Sequence, residues 1–297
     1  MGDNMKEKHT VRNIIIFFVI LTLTIICILL YSRFIATKNI QVHEYKIVNK
    51  NFTDEYYGLK IVHISDIHYG RITFENELNE LVKKVNKTKP DIIVFTGDLV
   101  DQDTKMTNEK ADKVASILSK LEARIGKYAI NGNHDFYYED WDLVIENSDF
   151  TNLNNKIETI YLEKDRYILL SGMSTNSYGK TTINEKLKES TEFLKSKKDN
   201  EKPIYSILLM HEPDYIDDIN LKDYNLVLSG HSHNGQIRIP FIGALKSTLP
   251  KGSRKYYDTY YKVKNTDLYI SNGIGTSTIN FRLFNRPSFN LYRLTNK

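Results

Sequence analysis

Ile92-Ile93-Val94-Phe95, followed after Thr96 by Gly97-Asp98-Leu99-Val100-Asp101, is the stretch from which the rest of the chain is read. The apolar run is short and made of β-branched or aromatic residues, the pattern of a strand buried on both faces. Gly97 lets the backbone turn where that strand ends. In open α/β sheets ligands bind outside the carboxyl ends of strands, so Asp98 and Asp101 emerge where chemistry is usually found. Taken alone the stretch is ambiguous, because Gly and Asp are also favoured in ordinary turns.

Working outward, the same pattern recurs. Upstream, Lys60-Ile61-Val62-His63-Ile64 reads as a strand that ends at Ser65-Asp66-Ile67-His68. Leu78, Leu81, Val82 and Val85 then follow at helical spacing, and Pro90 with Asp91 closes the helix. Downstream, Val114, Ile117, Leu118 and Leu121 form a second helical face, and Tyr128-Ala129-Ile130 a strand running into Asn131-Gly132-Asn133-His134-Asp135. Strand, helix, strand implies parallel pairing and an α/β fold. Trp141 to Ile145 suggests a short helix, and residues 157–162 and 167–171 suggest strands around a turn at Lys164-Asp165. Gly172 begins a loop with Asn176, Tyr178 and Gly179, and one polar helix is expected from about Asn184 to Lys198, with Leu187 and Leu194 inward.

Two further buried strands stop at chemistry-bearing residues: 204–210 at His211-Glu212-Pro213, and 226–228 at Ser229-Gly230-His231-Ser232-His233. The tail, with residues 236–239, 256–263, 268–271 and 289–294, reads as strands joined by Gly and Pro turns, and residues 40–49 as a first strand. No internal repeat or low-complexity segment interrupts the pattern.

Composition narrows the class. The chain has 297 residues, 41% hydrophobic and 26% charged, which is enough to bury a sizeable core. The net charge of +4 is mild and the lysines are scattered, so no cationic stripe marks a nucleic-acid partner. The single cysteine, Cys27, excludes an intrachain disulfide framework or a cysteine metal site. A monomer is expected.

Ile14 to Leu30 carries no charge and extends through Tyr31 toward Phe34, reaching the roughly 20 residues that cross a bilayer as a helix. A cleaved signal peptide would have a shorter apolar region and small residues at its cleavage site, which Ser32-Arg33-Phe34-Ile35-Ala36 does not offer. A buried core helix is the third reading, and an all-round apolar helix at the N-terminus favours the membrane over it. The expected organisation is a tail over 1–13, a single-pass anchor over 14–34 and one catalytic domain over 35–297. Basic residues flank the span on both sides, so charge does not decide orientation. A short tail inside and an extracytoplasmic domain is the preferred arrangement.

Five strand ends thus present Asp66 and His68, Asp98 and Asp101, Asn133 and His134, His211, and His231 and His233. Any one of them could be a loop residue with a structural hydrogen bond. All five follow an apolar strand and offer nitrogen or oxygen donors without a thiol, which suits divalent manganese, iron or zinc. These are more donors than one ion needs, whereas two ions roughly 3.5 to 4 Å apart sharing one carboxylate would make use of such a set.

At this point the chain resembles a calcineurin-like metallophosphoesterase. The family's motifs Asp-x-His, Gly-Asp-x-x-Asp, Gly-Asn-His-Asp/Glu, His and Gly-His-x-His occur in order as Asp66-Ile67-His68, Gly97 to Asp101, Gly132 to Asp135, His211 and Gly230-His231-Ser232-His233. The resemblance implies that Asp66, His68, Asp98 and His233 hold one divalent ion and that Asp98, Asn133, His211 and His231 hold the other. It implies that water activated between the ions attacks phosphorus, with His134 protonating the leaving oxygen or steadying its charge. Asp101 would orient His134. The implied fold is a four-layer αββα sandwich of two mixed sheets, of which the second sheet does not follow from periodicity alone.

Protein phosphatases of this family continue Gly-Asp-x-x-Asp with Arg-Gly, where this chain has Gln102-Asp103. That departure points away from phosphoproteins and toward a phosphodiester or pyrophosphate-type bond, with a phosphomonoester as the alternative. The N-terminal span is similar to the membrane-anchored branch of the family, which makes a lipid-linked phosphoester a candidate substrate. A non-catalytic anchored scaffold would be expected to lack a ligand or the leaving-group imidazole, and neither is lost. After the last histidines, Phe241, Ile242, Leu245 and Leu249 lie among Lys246, Lys251 and Arg254, a pattern that fits either contact with membrane lipids or a loop packed on the second sheet.

Overall fold

The computed structural model describes residues 2–177 and 181–297. In chain order the first half comprises α1 (Gly2–Leu30), β1 (Gln41–Val48), β2 (Lys60–Ile64), α2 (Glu75–Thr88), β3 (Ile92–Phe95), α3 (Asn108–Leu118), β4 (Gly126–Ala129), α4 (Trp141–Asn147) and β5 (Thr151–Asn152). The second half comprises β6 (Ile157–Glu163), β7 (Arg166–Met173), α5 (Ile183–Lys186), α6 (Lys188–Ser196), β8 (Tyr205–Met210) and β9 (Leu226–Ser229). It ends with the short hairpin β10 (Arg238–Ile239) and β11 (Gly243–Ala244), then β12 (Tyr260–Val263), β13 (Thr266–Ile270) and β14 (Ser288–Thr295).

Two six-stranded mixed sheets result, in the orders β1-β14-β2-β3-β4-β5 and β12-β13-β9-β8-β7-β6. Strands β2 to β5 run parallel, as do β7, β8, β9 and β13, so the motif-bearing strands of each sheet end on the same side. Alternation along each strand sorts side chains between layers. Ile61, Ile92, Val94, Ile207, Leu209, Leu226, Leu228, Tyr292 and Leu294 meet between the sheets. Val62, Ile64, Ile93 and Phe95 point the other way, against Leu78, Leu81, Val85, Val114 and Leu118 of α2 and α3. Leu208, Met210 and Val227 face Leu187, Ile216 and Leu221 outside the second sheet. These contacts make the four-layer αββα sandwich.

Local chemistry explains the element ends that matter here. At the start of α2 the Glu77 carboxylate accepts the Phe74 backbone N–H at 3.0 Å. The helix stops at Lys89, in the left-handed region at φ 51°, just before Pro90. The single helix expected over 184–198 is instead interrupted at Leu187, which leaves helical geometry at φ -98° and ψ 11° and whose side chain enters the core beside Ile216. The strand expected at 236–239 contracts to β10, and that at 256–263 to β12. Tyr178 and Gly179 of the loop after Gly172 lie outside the described residues.

Helix α1 extends through a wider turn at Tyr31–Ile35, and the apolar segment Lys8–Ile35 is long and apolar enough to cross a membrane, with none of its apolar window buried. That exposure removes the core-helix reading. The domain takes up the chain at Ser32, Ala36 and Thr37, which are buried, and the Arg282 backbone N–H donates to the Ser32 carbonyl at 3.0 Å.

Candidate metal centre

The loops after β2, β3, β4, β8 and β9 converge on one buried cleft. They interlock through glycine: Gly97 has φ +92°, and a Cβ there would overlap the Gly132 backbone, while a Cβ on Gly132 would overlap Asp98. The loops therefore touch backbone to backbone, which brings Asp98 and Asn133 side by side. Asp66, His68, Asp98, His231 and His233 all hold φ between 47° and 68°. For residues with a Cβ this conformation costs roughly 1–3 kcal/mol each, and such strain clusters at functional sites.

Asp98 is central. Its Oδ2 lies 3.2 Å from His211 Nε2 and 3.5 Å from His68 Nε2, while Oδ1 accepts the His134 backbone N–H at 2.8 Å. On one side, His68 Nε2 lies 3.0 Å from His233 Nε2, which is 3.6 Å from Asp66 Oδ1. On the other, His211 Nε2 lies 3.1 Å from Asn133 Oδ1, and His231 joins the group. Potential ligand atoms of Asp66, His68 and His233 fall within 4.8 Å of one another, as do those of Asp98, His211 and His231. All seven candidate ligands are buried.

The hydrogen bonds fix tautomers and give a test of whether this donor set fits cations. His211 Nδ1 lies 2.6 Å from the Thr96 carbonyl, which can only accept, so the proton sits on Nδ1. The Nε2 lone pair then faces two acceptors, Asp98 Oδ2 and Asn133 Oδ1, with a positive charge required among them. His231 donates from Nε2 to the Lys251 carbonyl at 2.8 Å, leaving Nδ1 free to ligate. Among the described residues His68 Nδ1 finds only the Asp101 carboxylate, at 3.5 Å, and its Nε2 faces that of His233. Two imidazole nitrogens 3.0 Å apart need a proton or a cation between them. The residues present fit divalent metal ions.

Electrostatics agree. Burial opposes the charge on Asp98, yet His211, His134 and His68 hold its carboxyl well below the usual range. Burial would lower the pKa of His211, but the Asp98 charge lifts it well above an ordinary imidazole, and His68 is raised by Asp101, Asp98 and Asp66 against the same penalty. His233 is pushed well down by burial and by the neighbouring His68 and Arg282, His231 by burial and His211, and His134 by burial. Protons on His68 and His211 thus balance charge where cations would.

Two residues named for catalysis are arranged differently from the implied pairing. Asp101 stands 3.8 Å from His134 Nδ1, too far for a hydrogen bond. His134 Nδ1 instead accepts the Gln102 backbone N–H at 3.1 Å. Asp101 is nearer His68, at 3.5 Å, and takes the Arg71 guanidinium at 3.3 Å.

Residues the sequence reading did not single out hold the loops in place. The Asp135 carboxylate accepts the backbone N–H groups of Asp98 (2.7 Å), Leu99 (2.8 Å), Val100 (3.3 Å) and Gly132 (2.8 Å), tying two ligand loops together. Burial and then the Asp98 charge push its carboxyl up to about 7, against those four donors. Glu212, beside His211, accepts from Thr175 Oγ1, from Ser177 Oγ and from the Asn176 N–H. Arg282 is fully buried, donates to the carbonyls of Asn272 (2.8 Å) and Gly273 (3.1 Å) and lies 3.3 Å from His233 Nδ1. The only sequence signal was adjacency, Asp135 to His134 and Glu212 to His211; Arg282 had none.

Residues 59–235 match the calcineurin-like phosphoesterase family. The chain is 29% identical over 269 residues to "Uncharacterized metallophosphoesterase YkuE" of Bacillus subtilis (strain 168), covering 89% of this chain and 88% of that protein. It is 31% identical over 237 residues to an "Uncharacterized metallophosphoesterase" of Aquifex aeolicus (strain VF5), covering 77% and 82%. A "Transmembrane protein with metallophosphoesterase domain" of Danio rerio is 27% identical over 284 residues, covering 90% of this chain and 60% of that protein.

Proposed function

The chain belongs to the calcineurin-like phosphoesterase family, and from that premise we propose that it is a membrane-anchored hydrolase of a phosphodiester or pyrophosphate-type bond, working with two divalent ions. The observation that carries this reading is the place of Asp98 Oδ2, 3.2 Å from His211 Nε2 and 3.5 Å from His68 Nε2, where one carboxylate serves both donor groups. Asp66, His68, Asp98 and His233 would hold one ion, and Asp98, Asn133, His211 and His231 the other. The mixed imidazole and carboxylate set, free of thiolate, suits manganese, iron or zinc. Bound there, such ions supply a nucleophile from water at neutral pH and polarise the phosphoryl oxygens.

The chain's own residues supply the rest. Because His134 Nδ1 accepts from Gln102, the neutral ring carries its proton on Nε2. A second proton on Nδ1 would confront the Gln102 N–H. His134 therefore acts as a hydrogen-bond donor to charge developing on the leaving oxygen, in preference to transferring a proton. Asp101, with Arg71 behind it, orients His68 by drawing its Nδ1–H, which leaves Nε2 as the ligand atom.

Gln102-Asp103 in place of Arg-Gly supports a substrate other than a phosphoprotein. A cavity of about 290 Å³ beside His233, lined in part by Leu249, Pro250 and Ile279, favours a substrate with an apolar portion, such as a lipid-linked phosphoester. The exposed apolar segment Lys8–Ile35 is the anchor, with the short tail inside and the domain outside the cytoplasm. The test is hydrolysis of bis(p-nitrophenyl) phosphate by the full chain in detergent with added manganese. Activity should disappear on chelation and in Asp98→Asn, with the folded state retained by circular dichroism. Turnover that survives both changes would sink the dinuclear reading.

A further inference from the structure

Phe241 and Ile242 form the tip of the β10–β11 hairpin, and no described residue covers them: Phe241 is fully exposed and Ile242 is 73% exposed. The rest of the segment is packed. Ala244 and Leu249 are buried, and a Cβ on Gly235 would overlap the Ala244 side chain, so the base of the hairpin has no room to fold its tip inward. The Arg238 guanidinium turns back to Asp258 and Asn234, both at 2.7 Å, which leaves the two apolar residues as the outward face. A rigid base presenting uncovered Phe and Ile calls for an apolar partner.

The backbone places this tip next to the membrane helix. Ser32, in the last turn of the apolar segment, accepts the Arg282 N–H; the next residue, Leu283, donates to the Gln236 carbonyl; and Arg238 donates to the Leu283 carbonyl. Arg238 pairs in turn with Ala244. Two such steps, at about 4.8 Å each, lead from the exit of α1 through residues 282–283 to β10, and a third crosses the hairpin to β11. Exposed Phe34 and Ile35 at the exit and exposed Phe284 between the two complete an apolar margin, and Lys246, Lys251 and Arg254 stand exposed beyond the hairpin. Apolar tip, helix exit and flanking bases are the components of an interfacial contact with anionic lipid.

We propose that the Phe241–Ile242 hairpin tip is a second bilayer contact, inserted into the same membrane that α1 spans. This rests on the reading of α1 as the anchor. Its consequence is positional: β10 follows directly from His233 to Gln236, so a seated hairpin holds the cavity beside His233 at the lipid surface.

The test uses full-length protein reconstituted in phosphatidylcholine and phosphatidylglycerol vesicles, with the phosphatidylcholine brominated along one acyl chain as a contact quencher. Trp141 is the single tryptophan and is buried at the start of α4, so it sets a constant background. Three variants are compared: Phe17→Trp within α1, Phe241→Trp at the tip, and Tyr161→Trp, exposed on β6 at the opposite edge of the second sheet. The expected result is a loss of emission at positions 17 and 241 and none at 161, with bis(p-nitrophenyl) phosphate hydrolysis by Phe241→Trp equal to that of the parent. Quenching at 17 without quenching at 241 overturns the contact, keeps the anchor and leaves the hairpin to a protein partner or a second copy. Equal quenching at 161 and 241 overturns it as non-specific adsorption. Emission unchanged at position 17 overturns the anchor and the contact with it.

Discussion

His63 and His68 are five residues apart on β2 and the loop that follows it, both are fully buried, and they are in opposite electrostatic states. His63, within the strand, meets Thr96 Oγ1 at 2.8 Å and Tyr292 OH at 3.4 Å, and burial pushes its pKa down to about 3. His68, past the strand end, suffers the same burial, but Asp101, Asp98 and Asp66 raise it above the ordinary value. Dryness is common to both places; the difference is charge. The sheet interior admits a polar side chain only when it is neutral and hydrogen-bonded. The strand ends gather carboxylates in an equally dry space, on backbone held at positive φ, and that arrangement persists only if a cation offsets it. One region is built for stability and the other at its expense.

The comparison breaks most readily by exchanging roles. His68→Asn should lower kcat/KM on bis(p-nitrophenyl) phosphate by about 10³-fold, which corresponds to roughly 4 kcal/mol. His63→Asn should reduce the folded fraction and leave turnover per folded molecule within about twofold. Equal catalytic losses at the two positions would erase the distinction. Within the cleft, His134→Ala should cost about 10²-fold to 10³-fold in kcat. His134→Gln, which keeps an N–H near the Nε2 position, should recover most of that loss. If Gln were as poor as Ala, proton transfer would replace hydrogen-bond donation as the role of His134.

The two regions also differ in how legible they were. The strand interiors announce themselves because burial on both faces leaves an unbroken apolar run, as at 92–95 and 207–210, and the site residues stand out because each follows such a run closely. Sequence could also align α2, where Leu78, Leu81, Val82 and Val85 mark one face. It could not pair β1 with β14 at the far end of the chain, since register between distant strands leaves no local spacing. Nor could it see the break at Leu187, where tertiary packing overrides a continuous helical pattern. Asp135 and Arg282 were hidden for a related reason: most of their bonds go to backbone groups of other loops, and a backbone group carries no sequence signature; Glu212 was hidden because its partners, Thr175, Asn176 and Ser177, lie in a loop far from it in sequence. The same blindness linked Asp101 to His134, because the Gln102 N–H that occupies His134 Nδ1 belongs to no side chain.

In the interior the expectation is purely one of packing. Leu209 is fully buried between the sheets, so Leu209→Ala should lower unfolding free energy by about 3 kcal/mol in urea titrations, with turnover per folded molecule unchanged. A loss of activity without a loss of stability would mean that the two regions are coupled more tightly than their chemistry suggests.

The subtlest test returns to His63, and its sign follows from linkage. An imidazole that titrates near 6.5 in the unfolded chain and near 3 when folded binds more protons in the unfolded state throughout that interval. Its contribution is therefore complete above pH 6.5 and is lost as pH falls toward 3. Between pH 7 and pH 5 the loss should amount to about 2 kcal/mol. His68 and His211, raised by their carboxylates, bias stability in the opposite direction, so the total curve of the parent mixes the two regions. Subtraction separates them. His63→Phe keeps a ring beside Tyr292 and leaves Thr96 Oγ1 its bond to Ser65 Oγ at 2.8 Å, while removing the titration. The difference between the two stability profiles should slope by roughly 1.4 kcal/mol per pH unit below pH 6.5. Parallel profiles would show that His63 stays as solvated as in the unfolded chain, and the contrast between strand interior and strand end would lose its physical basis.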